Sequence, residues 1–262
     1  MKMVRHENGA ITARLNYGVD WATVIIIRYG EHHMREYLQR AENPMTTVGA
    51  SPTSALSGLQ RGNDMTFSVT DFRYSGFGPV SFTLSAGEQI SVTGASGCGK
   101  TRLLRALADL DPWQGEVLLD NSPPTSVAGH LWRRRVMYMP AESQWWKVKV
   151  VKHFRTPPPS EFLAALDLSP EVMTWGVARL SSGEKQRLAL LRSLVVQPDV
   201  LLLDEPTAHL DVARTEKFEA LVRQQCETRG MMAVWVVHDN AQFKRVGVRQ
   251  YRMHDKGGWE SL

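Results

Sequence analysis

Leu180-Ser181-Ser182-Gly183-Glu184-Lys185-Gln186-Arg187 stands ahead of an apolar run, Val200-Leu201-Leu202-Leu203, that ends in Asp204-Glu205-Pro206. Upstream, Gly94-Ala95-Ser96-Gly97-Cys98-Gly99-Lys100-Thr101 satisfies the pattern G-x-x-x-x-G-K-[ST]. Residues 89–93 read as a buried strand feeding that loop. Residues 100–110 read as a helix with Leu103, Leu104, Leu107 and Leu110 on one face. A strand, a glycine-rich loop and a helix in that order form a phosphate cradle. The glycines let backbone N–H groups curl around the β- and γ-phosphates, Lys100 supplies a compact positive charge, and the Thr101 hydroxyl can ligate Mg²⁺. The helix aims its positive dipole end at the same phosphates. Gly94, Ala95, Ser96, Gly97, Cys98, Gly99, Lys100 and Thr101 are the candidate nucleotide-binding residues.

The run at 200–203 has the composition of a strand buried on both faces, whose end falls beside the phosphate loop. Asp204 at that end is placed to hold Mg²⁺ directly or through water. Glu205 is placed to polarise an attacking water as general base. The competing reading makes Asp204-Glu205-Pro206 a plain strand-end turn. Residues 232–237 form a second buried run, followed by His238. A neutral histidine there can contact a γ-phosphate and sense its presence; a structural histidine is the alternative. Lys100 and Glu205 are thus candidate catalytic residues.

Outward from these motifs, strand and helix patterns alternate from Met65 onward, which predicts an α/β architecture. Strands are expected at 65–74, 115–119 and 135–139, and helices at 184–194 and 212–228. Between residues 141 and 177 strand signals fade and helical stretches such as 160–168 appear, which suggests a small helical insertion. Residues 1–64 differ. They hold an apolar run at 22–27, a short helix pattern at 32–41 and a Pro/Thr/Ser/Gly-rich stretch at 43–62 that resembles a linker. We expect them to be a dispensable N-terminal extension, or the product of an upstream start codon. His32 and His33 point apart on a helix and carry no metal expectation.

At 262 residues the chain holds one large domain, or one domain plus an appendage. Its 43% hydrophobic and 22% charged composition is that of an ordinary globular protein. The net charge of +4 is spread along the chain, so no nucleic-acid partner is inferred from it. A disulfide at Cys98 would obstruct the phosphate loop, so Cys98 and Cys226 fit a reduced cytosolic compartment. No apolar run approaches the roughly 20 residues needed to span a bilayer. The run at 22–27, interrupted by Arg28, is short of a signal-peptide core of about 7–15 residues. A membrane-spanning partner would be another chain.

The segment Leu180-Ser181-Ser182-Gly183-Glu184, following the phosphate loop and preceding Asp204-Glu205 and His238, resembles the signature of the ABC ATPases. The resemblance covers roughly residues 65–262. The spacing of His238 from Glu205, similar to that of ABC ATPases, implies that His238 is a third catalytic candidate beside Lys100 and Glu205. It implies a P-loop NTPase fold: a RecA-like core sheet, an antiparallel β subdomain and a small helical subdomain at about 141–186. It also implies ATP and Mg²⁺ as cofactors, with Thr101 and Asp204 on the metal. Two cassettes, as a homodimer or a pair, would sandwich two ATP molecules, with Ser181 and Gly183 reaching the nucleotide of the opposite subunit. Tyr74 resembles the aromatic that stacks on adenine, and Phe77 is its rival. Asp111-Pro112-Trp113-Gln114-Gly115 resembles the turn that follows the first helix, and Asp211 matches a dimer-facing aspartate.

Three positions depart from the family pattern. Ser182 stands where glycine is commonest, and Ala208 replaces a small hydroxyl residue. Tyr138-Met139-Pro140 resembles the strand leading to a Mg²⁺-contacting glutamine, yet Ala141 follows, leaving Gln144 or Glu142 to stand in. Trp145-Trp146-Lys147-Val148-Lys149 then falls near the groove where such cassettes receive a transporter subunit; it reads either as a docking element or as an ordinary amphipathic surface.

Among single cassettes the chain resembles the ATP-binding subunits of bacterial iron-export systems. The shared segments are the phosphate loop, Glu184-Lys185-Gln186-Arg187 with Leu191-Arg192-Ser193-Leu194, and Val234-Trp235-Val236-Val237-His238-Asp239. The resemblance implies an ATP-hydrolysing subunit that powers transport through separate transmembrane subunits, peripheral to the inner face of the cytoplasmic membrane. The resemblance extends to export of iron or another metal, while the cargo and the direction of transport are read by the membrane partner and not by this sequence. The alternative is a soluble ABC ATPase acting on nucleic acid or the ribosome. Against it, the phosphate loop and signature are joined by a short segment without sustained heptads, and the chain holds one cassette.

Overall fold

The computed structural model describes residues 2–5, 11–14, 65–247, 249–254 and 258–262. The 22–27 run, the 32–41 helix pattern, the 43–62 stretch and His32-His33 lie outside the described residues. The chain divides into two compact units, Met1–Gly58 and Leu59–Leu262. Within the first, β1 (Lys2–Arg5) and β2 (Ile11–Arg14) pair antiparallel, with Lys2 opposite Arg14.

The second unit begins with β3 (Thr66–Tyr74), β4 (Phe77–Ser85), β5 (Gln89–Gly94), α1 (Lys100–Leu107) and β6 (Trp113–Leu119). It continues through α2 (Gly129–Arg135), β7 (Val136–Met139), α3 (Ser160–Ala165) and α4 (Ser182–Leu194). The remainder is β8 (Val200–Asp204), α5 (Val212–Arg229), β9 (Met232–Val236), α6 (Asn240–Val246), β10 (Arg249–Met253) and β11 (Trp259–Ser261).

Two sheets result. One is antiparallel, ordered β4-β3-β6. Its strands alternate, with Val80, Phe82 and Leu84 of β4 buried and their neighbours exposed, as expected where one face packs on a core. The other is ordered β11-β10-β5-β9-β8-β7; all its pairings are parallel except that of the edge strand β11. Every residue of β8 and β9 is buried. Alternate side chains feed two separate cores. Val200, Leu202, Met232, Val234 and Val236 join Leu103, Leu104 and Leu107 of α1, together with the antiparallel sheet. Leu201, Leu203, Ala233 and Trp235 join the helical side, including Leu188 and Leu191 of α4 and Phe218 and Leu221 of α5. An apolar run with no polar face can form a strand only where both faces are covered, which these two cores achieve.

Parallel strands share an end. The carboxyl ends of β5, β9, β8 and β7 therefore deliver the phosphate loop, His238, Glu205 and Pro140 to one edge of the sheet. Beside β7 the chain runs through short 3₁₀ turns and α3 before reaching α4. The helix expected at 160–168 ends at Ala165, because Asp167 takes a left-handed φ of 49° that an α-helix cannot continue. Likewise α1 ends at Leu107 rather than 110, with Asp109 at φ 56°. Arg187 of α4, itself 5% exposed, donates to the Leu166 and Asp167 carbonyls and so fastens α4 to the end of α3.

Gly115 shows how local geometry fixes the antiparallel sheet. The pairing of β3 with β6 shifts register between Thr70 and Arg73, where Asp71 has φ 47°. Opposite the bulge Gly115 has φ 100°, and a Cβ there would lie 2.5 Å from the Asp71 carbonyl oxygen. Gly115→Ala is expected to lower unfolding free energy by about 2 kcal/mol through strain and clash together. Urea unfolding of the two proteins checks it; equal stabilities would show that the bulge relaxes without cost.

Candidate active site

The phosphate loop leaves β5 and enters α1 at Gly99, whose φ of 99° makes the turn. Lys100 is 5% exposed, and its Nζ donates to the Gly94 carbonyl at 2.8 Å and the Ala95 carbonyl at 2.9 Å. The ammonium thus sits inside the curl of the loop, where the same donors can turn to phosphate oxygens. Ala95, Ser96 and Gly97 are exposed, so their backbone is accessible to a ligand. The Cys98 side chain instead faces inward, 1% exposed, with Sγ 4.0 Å from Lys100 Nζ. Cys98 can therefore serve a ligand through its backbone only.

Asp204, at the end of β8, is 2% exposed. Thr101 Oγ1 donates to its Oδ1 at 3.2 Å, and the Tyr138 hydroxyl donates to Oδ2 at 2.8 Å. Burial raises the Asp204 pKa above the usual carboxylate range, against the two hydroxyl donors. The Tyr138 phenol is likewise pushed up, first by burial and then by the Asp204 charge, so it stays a donor. The donor set at this point is one hydroxyl and one carboxylate, both hard oxygens. Among the described residues no group of three His, Cys, Asp or Glu side chains could cage a metal. One or two protein oxygens, completed by phosphates and water, is the arrangement that suits Mg²⁺.

Glu205 begins the turn after β8 with φ 45°, its N–H donating to the Val236 carbonyl at 3.0 Å. The left-handed residue turns its carboxylate toward β9. There His238 Nε2 lies 2.7 Å from Glu205 Oε1, a contact that places a proton on Nε2. Behind this pair runs a polar network with no signal in the sequence motifs. Gln242 Nε2 lies within hydrogen-bonding distance of Thr207 Oγ1 and Glu219 Oε1, at 2.9 and 3.0 Å. Glu219, 2% exposed, accepts from Arg245 through both oxygens. The segment after Glu205 and the helix after His238 are thereby tied through α5.

Tyr74 does not face a ligand. Its ring is 2% exposed, packs 5.7 Å from Phe77 and turns its hydroxyl toward Met253 Sδ. The alternation of β3 puts it on the core face, a consequence of period and register that the resemblance alone did not reveal. Phe77 is half-buried and lies against the phosphate loop: a Cβ at Gly99 would come 3.1 Å from its ring. Phe77, and not Tyr74, is the aromatic that borders the phosphate loop.

Ser181 caps α4 in a capping box, accepting from the Glu184 N–H at 3.2 Å while its own N–H donates to Glu184 Oε2 at 2.9 Å. Burial opposes the Glu184 charge, yet the Ser181 N–H and hydroxyl hold its carboxyl below the usual range. Ser181 and Ser182 are exposed, and Gly183 packs near the His209 carbonyl. Asp211, also exposed, caps α5 through the Arg214 N–H at 2.8 Å.

Neither Glu142 nor Gln144 reaches the metal-ligand candidates: among the described residues no hydrogen bond joins either to Thr101 or Asp204. The Gln144 carbonyl instead accepts from Arg192 at 3.0 Å. The loop after β7 is built around His153. Its Nε2 accepts from the Trp146 and Lys147 N–H groups at 2.9 and 2.8 Å, while Nδ1 is 3.2 Å from the Lys149 carbonyl. Trp145 and Trp146 meet the ring edge-on, and the Arg192 guanidinium lies over both indoles. Trp146 and Val148 are left 66% and 84% exposed, and a groove of about 270 Å³ is lined by Arg133, Tyr138, Pro140, Ala189 and Arg192.

Fold and site together define a P-loop nucleotide-binding protein. The ABC transporter family model matches residues 77–208. The chain is 33% identical over 172 residues to the probable iron export ATP-binding protein FetA of Escherichia coli, covering 61% of this chain and 76% of that one. It is 34% identical over 182 residues to the aliphatic sulfonates import ATP-binding protein SsuB 2 of Pseudomonas fluorescens, covering 67% of each. A solved dimeric structure of the ATP-binding cassette MJ0796, bound to ADP and Pi, shares the fold. Its TM-score is 0.63 at 22% identity, over 75% of this chain and 98% of that one. A bacterial Atm1-family ABC exporter with ATP bound gives 0.62 at 22% identity, over 74% of this chain and 38% of the exporter. The chain belongs to the ABC transporter family as an ATP-binding subunit that hydrolyses ATP.

Two expectations follow. Phe77→Ala is expected to weaken ATP binding about tenfold, the loss of one aromatic platform, while Tyr74→Leu, which removes a core-facing ring but keeps an apolar side chain, leaves affinity unchanged. Calorimetric titration with a slowly hydrolysed ATP analogue distinguishes them, and the reverse order would return the stacking role to Tyr74. Second, burial holds the His153 pKa below its ordinary value of 6.5, aided by the Arg192 charge and opposed by the Lys149 carbonyl. A lowered pKa contributes stability that is complete above the unfolded value and is lost as pH falls through the folded value. The stability advantage of the wild type over His153→Gln should therefore shrink between pH 7.5 and pH 5.5 in urea unfolding, and an advantage that grows on acidification would overturn the neutral-ring assignment.

Proposed function

We propose that this chain is the motor subunit of a transporter whose membrane-spanning parts are separate chains, and that residues 65–262 form its ATPase domain, with a helical subdomain at about 141–186 and residues 1–64 as an extension. The observation that carries the reading is the convergence, at one sheet edge, of Lys100, the Thr101–Asp204 pair and the Glu205–His238 contact. Lys100 and the loop N–H groups bind the β- and γ-phosphates, and Thr101 and Asp204 hold Mg²⁺. When bound, Mg²⁺ spreads the phosphate charge and favours displacement at the terminal phosphorus. Glu205 accepts a proton from water as its oxygen bonds to the γ-phosphorus and the bond to the β–γ bridging oxygen breaks. His238 holds the Glu205 carboxylate in line and meets the γ-phosphate once the nucleotide is in place.

Two cassettes close on two nucleotides, each offering Ser181 and Gly183 of its exposed α4 start to the other's phosphates. The groove beside β7, whose lining residue Arg192 lies over Trp145 and Trp146, receives a cytosolic segment of the membrane subunit. The site is then at the inner face of the cytoplasmic membrane; among the described residues no helix is long and apolar enough to cross one. Iron or another metal ion, moved outward, is the cargo supported by the likeness to the iron-export protein. The sulfonate-import relatives support import of an organic anion as the second reading.

Glu205→Gln is expected to lower turnover by at least about 100-fold while ATP still binds, and to trap an ATP-dependent dimer on size-exclusion chromatography. Wild-type turnover in this variant would remove Glu205 as the base. Cargo is read in cells producing the chain with its membrane partner: lowered cell iron supports export, and restored growth on an aliphatic sulfonate as sulfur source supports import.

A further inference from the structure

Tyr138 is a residue for which the motifs assign no role. It lies on β7 opposite Leu202 of β8, and neighbouring residues in a parallel pair project to the same face. Asp204 is two residues beyond Leu202 on that same face. A side chain at 138 must therefore be long and carry a donor at its tip to meet the carboxylate, and tyrosine does both: its hydroxyl donates to Asp204 Oδ2 at 2.8 Å. Thr101 donates to Oδ1 at 3.2 Å. The two oxygens of Asp204 are thus divided, one toward the phosphate loop and one toward β7. Three residues along, where the family pattern would supply a glutamine, Ala141 carries no polar atom. Glu142 is exposed, and the backbone of Gln144 is held by Arg192. Tyr138 is the side chain of this strand that reaches the site, and the same residue lines the groove.

We propose that Tyr138 is a positioning residue for Mg²⁺, holding Asp204 by Oδ2 so that Oδ1 faces the Thr101 hydroxyl, the pair that would hold the metal. The proposal rests on the reading of Asp204 as the metal carboxylate. Tyr138→Phe deletes one oxygen and leaves the ring in place. Without the phenol the carboxylate is free to rotate, so the cost falls on metal binding and not on the contacts of Lys100 or Phe77 with nucleotide.

The test uses the full chain carrying Glu205→Gln, which holds ATP without turnover, and Mn²⁺ as the probe. Binding of Mn²⁺ to the protein–ATP complex is followed by the electron paramagnetic resonance signal of the free ion. Tyr138→Phe is expected to weaken Mn²⁺ binding about tenfold, the loss of one charge-assisted hydrogen bond, with ATP affinity in EDTA within about twofold of the parent. A purely structural role would lower both together, and that result overturns the proposal. Asp204→Asn separates the two claims. If it weakens Mn²⁺ binding and Tyr138→Phe does not, the positioning role is overturned and the metal reading stands. If Asp204→Asn itself binds Mn²⁺ as the parent does, the metal reading fails and takes the proposal with it.

Discussion

A carboxylate at the end of a strand with no exposed residue is the constraint around which this molecule is arranged. Asp204 is 2% exposed, and a buried ionisable group must be given partners or lose its charge. Here the partners come from three different places in the chain: Thr101 from the start of α1, Tyr138 from β7 and the charge of Lys100 from the phosphate loop. Each can be present only if β5, β8 and β7 lie in the order the sheet gives them. That order in turn depends on β8 and β9 being apolar throughout, since a strand covered on both faces must lie inside the sheet. The chemistry and the core are therefore one design. The helical side buries Leu201 and Leu203, the antiparallel side buries Leu202, and the strand ends in Asp204, buried between Thr101 and Tyr138.

The same logic explains Glu205. A strand that stops at Asp204 must turn, and a left-handed residue turns it sharply toward β9. Glu205 N–H on the Val236 carbonyl fixes the turn, and the side chain is left next to His238. The distance between Glu205 and His238 is thus set by backbone contacts between two neighbouring strands. The Thr207–Gln242–Glu219–Arg245 network keeps the elements that follow each of them from drifting apart, because each buried polar atom would lose its partner if they did.

Much of this was legible in the sequence, for physical reasons that can be named. A run such as Val200–Leu203 has few places to go, and a loop such as Gly94–Thr101 requires a strand before it and a helix after it. The strand and helix order, and the meeting of Thr101 with Asp204, follow from those two facts. What was not legible depended on register and on side-chain length. Tyr74 is one residue type in an alternating strand, and only the pairing of β3 with its neighbours decides that it points inward while Phe77 meets the loop. The early ends of α1 and α3 rest on left-handed Asp109 and Asp167, which helical periodicity does not see. Tyr138 was quoted only as part of a strand, since nothing in a strand pattern says that its hydroxyl spans the distance to a carboxylate on the next one.

The loop after β7 lacks a glutamine that would join the metal to the groove, and its own contacts run the other way. His153 gathers the Trp146 and Lys147 N–H groups, Arg192 covers the two indoles, and the loop is tied to α4 and not to the phosphate loop. A further tie pairs Lys149 with Gly176, and the Val177 N–H with the Val148 carbonyl, just ahead of the Leu180–Ser181 start of the signature. The Trp146–Val148 segment is thus tied by backbone bonds to the turn that precedes Ser181, and Tyr138 both lines the groove and donates to Asp204; neither tie requires a polar side chain at position 141.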